Sequence, residues 1–499
     1  MKVIKKITAI MLSIMMVLGM SSVVSAAGAS GTGKITINNA VVDQTYNIYK
    51  ILDLESYNDV TGNYAYKPAT DKWKAFLNET GIKGIYVDVD SDDYVTWKTS
   101  ADAAKFAKKA LAYAKDTTNN ITVTSNATAT TTTVEFTGLD SGYYLVDSSV
   151  GTLCFLDTMK SGEVKIDEKN VAPTVDKKVQ EDSKISETDE YGESNTADIG
   201  QTVNFKTTIT AQAGAQNYVL HDKMDAGLTF ADSSVQIQWT KKSDGTTTSV
   251  SDTDYDVTIE NLENADPKCT FHVTFKENFC DKLAKDDTIV ITYSATLNEQ
   301  ATVGTTGNKN ETWLKYGEKI NLETAHKTTT TKTYEIPVFK YTEKTTGNKT
   351  GLPNAEFTLS KNANGTDPIS LVDITGGVTE GKYRVAKTGD ATTTDKVITL
   401  NTGKFTIQGL DADTYYLTET KQPDGYNKLS KAVKIEIDKD GNIKVDDIAI
   451  AAGEDVKVEN KSGSLLPSTG GRGTTLFYIL GAILVVGSGV VLITKKRMK

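Results

Sequence analysis

The sequence predicts a mainly β protein of three tandem domains carried between two distinctive ends, and three observations lead to that reading. Between its ends the 499-residue chain is rich in Thr, Val, Ile and Tyr, with Gly, Asn and Asp gathered at turns. Runs at 202–210 (TVNFKTTIT), 269–275 (CTFHVTF), 288–293 (TIVITY) and 432–437 (AVKIEI) alternate apolar and polar residues with a period of two. That is the pattern of strands with one buried face. Two polar junctions, 169–173 (KNVAP) and 327–333 (KTTTTKT), divide the chain into segments of 27–170, 171–332 and 333–461. The threonine run, with nothing to bury, reads as a linker or an edge strand.

The ends come first. Lys2, Lys5 and Lys6 precede an apolar stretch, 7–20, that runs into small residues, the layout of a secretory signal peptide occupying 1–26 with cleavage after Ala26. At the far end Leu466, Pro467, Ser468, Thr469 and Gly470 are followed by 18 uncharged residues, 476–493, and then by Lys495, Lys496, Arg497 and Lys499. At about 1.5 Å per residue the apolar run nearly matches a hydrocarbon core of roughly 30 Å. The basic tail stays cytoplasmic, which leaves Leu466 to Gly470 outside the membrane within reach of an extracellular enzyme. The pentapeptide resembles the LPxTG motif that Gram-positive sortases cleave between Thr and Gly, so 462–499 is expected to be a cell-wall sorting signal. Loss of both ends removes three lysines at the front and five basic residues behind Thr469, which takes the net charge from −10 to −18. So acidic a surface argues against nucleic acid and anionic lipid as partners.

In the first segment one stretch has helical spacing, residues 100–115, with Ser100 or Asp102 as cap and Ala103, Phe106, Ala110 and Leu111 on the apolar face. An internal repeat ties this segment to the third. Residues 136–140 (FTGLD) followed by 142–147 (GYYLVD) echo 409–411 (GLD) followed by 414–419 (TYYLTE), with Asp147 in the place of Glu419. In the third segment the run continues 420–426 (TKQPDGY), and the whole is similar to the YxLxETxxPxGY signature of Cna B-type domains in Gram-positive surface proteins. The middle segment, with 227–230 (GLTF), resembles the related sandwich domain of pilin shafts. The resemblance implies three tandem immunoglobulin-like (Cna-type) β-sandwich domains.

It also implies chemistry, in which the Glu of the signature promotes a bond between a first-strand Lys and a last-strand Asn. Residue parity permits this. Ile336, Val338 and Lys340 share a face of one strand, as do Tyr415, Leu417 and Glu419, and Val456, Val458 and Asn460. Inward burial would push Lys340 and Glu419 toward neutral amine and neutral acid. The amine could then attack the side-chain carbonyl of Asn460 and release ammonia. The alternative is a buried Lys–Glu salt bridge beside a hydrogen-bonded Asn. In the middle domain the same logic selects Lys177, bonded to Asn310 with Asp222 as the acid, with Lys178 and Asn308 as near alternatives. The first domain places Glu168 where the acceptor Asn would stand and should lack the bond. Its Lys169, with opposite parity, is expected to face solvent in a setting, DEKN, that partly resembles the YPKN pilin motif, with Asp167 and Glu168 replacing Tyr and Pro.

The family reading is a structural one. The chain resembles the backbone pilin, the major shaft subunit of a sortase-assembled pilus. Its expected partners are pilus and housekeeping sortases, identical subunits joined head to tail from Thr469 to Lys169, peptidoglycan at the base, and tip or minor pilins. Load would enter at Lys169 and leave at Thr469, crossing the second and third domains. The rival is a wall-anchored monomeric adhesin or minor pilin that binds a host or matrix ligand. No enzyme motif, cofactor or metal site is expected, since His221, His272 and His326 show no ligand spacing. Three cysteines leave at most one pair: Cys269 and Cys280 share a domain and could bridge, while Cys154 reads as a buried thiol.

Overall fold

The computed structural model describes residues 25–26, 31–58, 60–149, 151–160, 162–168, 172–183, 190–212, 214–259, 268–317, 322–464, 466 and 472–498. The signal-peptide segment up to Val24, Lys169, the side chain of Cys154, and Pro467, Ser468, Thr469 and Gly470 lie outside these residues. The chain divides into two compact units, one of 1–302 with 306–332, the other of 303–305 with 333–499.

The first unit begins with a β-sandwich. Strand Gly33–Asn38 pairs in parallel with Glu163–Asp167 and antiparallel with Thr133–Leu139. A larger sheet is built on the long strand Thr45–Asn58, flanked by Gly142–Ser148, which in turn pairs with Gly151–Met159. Ile35, Ile37, Tyr46, Ile48, Val134, Phe136, Tyr144, Val146 and Ile166 fill the space between the sheets. The outer face of the larger sheet is covered by two helices rather than one. Helix Ala103–Lys115 is capped by Asp102, whose carboxylate accepts from the Ala104 and Lys105 amides. Its buried residues are Phe106, Ala107, Ala110, Leu111 and Ala114, so Ala103, expected on the apolar face, is exposed. The second helix, Asp71–Leu77, is capped by Thr70 and buries Trp73, Phe76 and Leu77. Its two turns are too short for periodicity to register.

A second sandwich follows in the same unit. One sheet runs Thr174–Gln180, Thr202–Thr210, Thr288–Leu297 and Gln236–Thr240. In the other, Val219–Met224 lies between Phe271–Phe275 and Gly304–Lys315. Residues 327–332 begin the strand Lys327–Thr345, and the polar run does bury a face in this unit, with Thr329 and Thr331 each 1% exposed. Ser194–Thr196 pairs in parallel with 330–332.

Cys269 and Cys280 are both buried and not bridged, so the pair that the sequence left possible does not form. They lie beyond opposite ends of strand Phe271–Phe275. Five residues of strand span about 17 Å, against the roughly 4.4–6.8 Å between Cα atoms that a disulfide tolerates.

In the second unit, the part of Lys327–Thr345 from residue 333 onward pairs antiparallel with Lys404–Leu410 and in parallel with the last strand, Val456–Glu459. The facing sheet contains Glu356–Ser360, Thr414–Lys421 and Val433–Ile437. The chain ends in helix Arg472–Arg497, of which 475–497 is long and apolar enough to cross a membrane, with a mean hydropathy of 2.6.

Candidate cross-link sites and sorting signal

In the second unit three alternations converge. Ile336, Val338 and Lys340 are each 0% exposed, and Tyr415, Leu417 and Glu419, and Val456, Val458 and Asn460, are each at most 2% exposed. Lys340 stands opposite Val458 on the parallel last strand, so Asn460 follows two residues on, on the same face. Glu419 comes from the facing sheet. The Lys340 Nζ is in contact with Asn460 Oδ1 and lies 3.2 Å from Glu419 Oε1, which also accepts from Asn460 Nδ2 at 2.8 Å. The second carboxylate oxygen accepts from the Leu429 amide at 2.7 Å, which fixes its rotation. Phe357 lies 5.6 Å from the amine and makes its surroundings apolar. Burial pushes the Lys340 amine below its ordinary value against the pull of Glu419. The backbone at Lys340 is set by Gly403, whose carbonyl accepts from the Lys340 amide at 2.8 Å. Gly403 has φ of 75°, and a Cβ there would fall 2.3 Å from the Lys340 carbonyl oxygen.

The second sandwich of the first unit holds a parallel arrangement. Val175, Lys177 and Val179 point inward from the first strand, and Lys177 reaches across the core to Asp222, with Nζ 2.6 Å from Oδ2. Tyr293, which the sequence reading did not single out, contacts both groups through its hydroxyl, and Asn310 Nδ2 donates to that hydroxyl at 3.5 Å. Its position among inward-facing Ile289, Ile291, Ala295 and Leu297 was the available signal. Burial lowers the Lys177 amine and raises the Asp222 carboxyl, each opposed by the charge of the other. Oδ1 of Asp222 and Oδ1 of Asn310 are both buried without a hydrogen-bond donor. The two alternatives separate cleanly. Lys178 is on the opposite face with Glu193 3.6 Å away, and Asn308, though buried, bonds Thr302 and the Thr331 carbonyl.

The first sandwich has none of the three groups. In both the first and last sandwiches a tyrosine hydroxyl donates to a backbone carbonyl four residues upstream, Tyr144 to Asp140 and Tyr415 to Asp411. Tyr144 therefore corresponds to Tyr415, and the repeat as matched by its letters is one residue out of step. Asp147 instead faces the helix side, 3.1 Å from Lys115, and Ser148 takes the place of Glu419. On the parallel terminal strands Ile37 pairs with Ile166 as Lys340 pairs with Val458. The Glu168 amide bonds Asn38 as the Asn460 amide bonds Tyr341. Lys340, Glu419 and Asn460 thus correspond to Ile37, Ser148 and Glu168.

Of the sorting pentapeptide only Leu466 is described, and it is 85% exposed. Comparisons with known proteins agree with this order of parts. Residues 199–320 match the Gram-positive pilin backbone subunit 2, Cna-B-like domain, 339–449 match the SpaA prealbumin-like fold domain, and 458–499 match the LPXTG cell wall anchor motif. No curated protein matches the chain. Among solved structures it is similar to the T6 backbone pilin of serotype M6 Streptococcus pyogenes, at 16% identity and TM-score 0.48 over 83% of this chain and 81% of that one. It is also similar to the major pilin SpaD of Corynebacterium diphtheriae, at 16% identity and TM-score 0.43 over 87% and 98%. A third is the RrgB pilus protein of Streptococcus pneumoniae, at 14% identity and TM-score 0.44 over 89% and 100%. The matched domains define the class, a secreted surface protein anchored in the Gram-positive cell wall. Within that class, the chain carries the domains of a backbone pilin ahead of its anchor.

Proposed function

We propose that the chain is the repeating shaft subunit of a covalent surface fibre, braced by two internal amide bonds. Sortase cuts between Thr469 and Gly470, holds Thr469 as an acyl-enzyme, and passes it to the Lys169 amine of a neighbouring subunit. Tip or minor pilins and attachment of the fibre base to peptidoglycan complete the assembly. The chain serves as substrate, and its only chemistry of its own is self-cross-linking.

The observation that carries the bracing is the contact of Lys340, Glu419 and Asn460, each at most 2% exposed, with the amine at the Asn side chain. A neutral Lys340 Nζ attacks Asn460 Cγ, a C–N bond forms, and the bond to Nδ2 breaks. Glu419 moves the proton from the attacking nitrogen to the leaving one, and ammonia departs. Lys177 and Asn310 react in the same way with Asp222 as the carrier. A proton on Asp222 would give one of the two donor-less oxygens there its partner.

Intact mass of the chain tests the bonds. Loss of two ammonias from the parent is expected, with one restored in Glu419→Ala and one in Asp222→Ala. An unmodified parent would remove the cross-links and leave a wall-anchored monomeric adhesin as the reading. Incubation with the pilus sortase tests assembly separately: a ladder of covalent multimers is expected, and Lys169→Ala should abolish it.

A further inference from the structure

All three histidines of the chain lie in one cluster of rings in the first unit. His221 and His272 face each other across paired strands with ring centroids 5.5 Å apart. His221 stacks on Trp313 at 5.2 Å, and His326 stacks on Trp313 at 4.5 Å. A thiol joins two of these imidazoles. Sγ of Cys269 lies 3.4 Å from His221 Nδ1, and ligand atoms of His221, Cys269 and His272 are all within 4.8 Å of one another.

The backbone explains how Cys269 arrives there. Residues 269 and 272, three apart, would point to opposite faces of a regular strand. The chain bends at Thr270 instead, ahead of Phe271–Phe275. The Thr270 amide donates to the Asp222 carbonyl at 2.7 Å, and its hydroxyl accepts from the Met224 amide at 2.8 Å. That bend is what sequence spacing could not reveal.

We propose that His221, Cys269 and His272 form a binding site for a borderline transition-metal ion, zinc foremost, with water as the fourth ligand. Metal–ligand bonds of about 2.0–2.3 Å place tetrahedral ligand atoms roughly 3.4–3.8 Å apart. The observed spacings start at that value and need a closure of about 1 Å at the widest. Two imidazoles and a thiol suit zinc, cobalt or copper and exclude calcium and magnesium, which select oxygen. On coordination the thiol releases its proton to solvent as the sulfur–metal bond forms, and the imidazoles bind as neutral bases. His221 and Cys269 are buried, while His272 is partly exposed, which gives the water its side of entry. The ion would clip strand Val219–Met224 to the segment 269–275, on the face opposite Asp222.

The test is titration of the full chain in detergent, reduced and stripped by chelator, with Zn²⁺ and then with Co²⁺. One equivalent of each is expected to bind at micromolar affinity or better, with a thiolate-to-cobalt charge-transfer absorption and a raised unfolding temperature. Cys269→Ser should abolish the absorption. His272→Gln, at a partly exposed position, should weaken zinc by about tenfold or more. Cys280→Ser should change neither. Failure of both metals to bind the parent, or a band that survives Cys269→Ser, overturns the assignment.

Discussion

Lys340 on the first strand of its sandwich and Asn460, one residue past the end of the parallel last strand beside it, meet side chain to side chain although 120 positions separate them in sequence. Joining them closes a loop that spans almost the whole domain. On the chain-entropy account a closure of that length stabilises by about 4–5 kcal/mol. Glu419→Gln keeps the volume and the bond from Leu429 but removes the acid. Its C-terminal domain should retain one extra ammonia by mass and unfold at a lower guanidinium midpoint. An unchanged midpoint would show that the closure adds no stability.

Tyr293 touches the amine, the acid and, more distantly, the acceptor amide of the middle site. Tyr293→Phe removes the hydroxyl that donates to Asp222 and accepts from Lys177 and Asn310, and the loss of the bond to the acid alone is worth about 1.5–3 kcal/mol. If that bond positions the reacting groups, Lys177–Asn310 joining slows by roughly 10- to 100-fold, with Lys340–Asn460 joining unchanged. Mass measured against time after refolding resolves the two steps. Equal rates in parent and variant would reduce the hydroxyl to a packing group.

Asp222→Asn separates burial from pairing. Burial already lowers the Lys177 amine, and the Asp222 charge opposes that shift. Without the charge the amine falls further, so the folded state holds it neutral over a range where the unfolded state, near 10.5, takes up a proton. Stability then rises with pH across that range and is lost on acidification. Melting temperatures of the variant should climb as pH rises toward 10.5 more steeply than those of the parent, whose Lys177 nitrogen is held in the amide.

The first sandwich, with Ile37, Ser148 and Glu168 in the three key places, has neither amine nor acceptor there. It should be the first part of the mature chain to open. Limited trypsin digestion on gentle warming is expected to cut within residues 31–167 before it cuts within 174–460. Initial cleavage in the C-terminal domain would contradict this order.

Much of the site was legible because strand parity is a strict code: once Val338 and Leu417 face the core, Lys340 and Glu419 must follow. The strand Thr202–Thr210 was read to the residue for the same reason. What escaped was whatever letters alone underdetermine. Two adjacent tyrosines in each repeat allowed a one-residue slip, which only the Tyr144 and Tyr415 hydroxyl bonds resolve. Such a slip reverses the faces, which is why Asp147 was taken for the counterpart of Glu419. The threonines at 329, 331 and 333 carry no apolar signal, yet alternate in and out like any strand. Tyr293 was one aromatic among several, and its role comes from a core polar group on a facing sheet.

The register of the last strand decides how far a pulled fibre could lengthen. With the amide in place, tension entering the C-terminal domain runs along its first strand to Lys340, steps to Asn460 and leaves toward Thr469. Everything from 341 to 459 hangs off that line. At about 3.4 Å per residue, a separation of 120 positions stands for roughly 400 Å of chain that could never pay out. Those residues can loosen, exchange or diverge in sequence while the domain keeps its length, so under load this domain lengthens only through the chain ahead of Lys340 and the chain beyond Asn460.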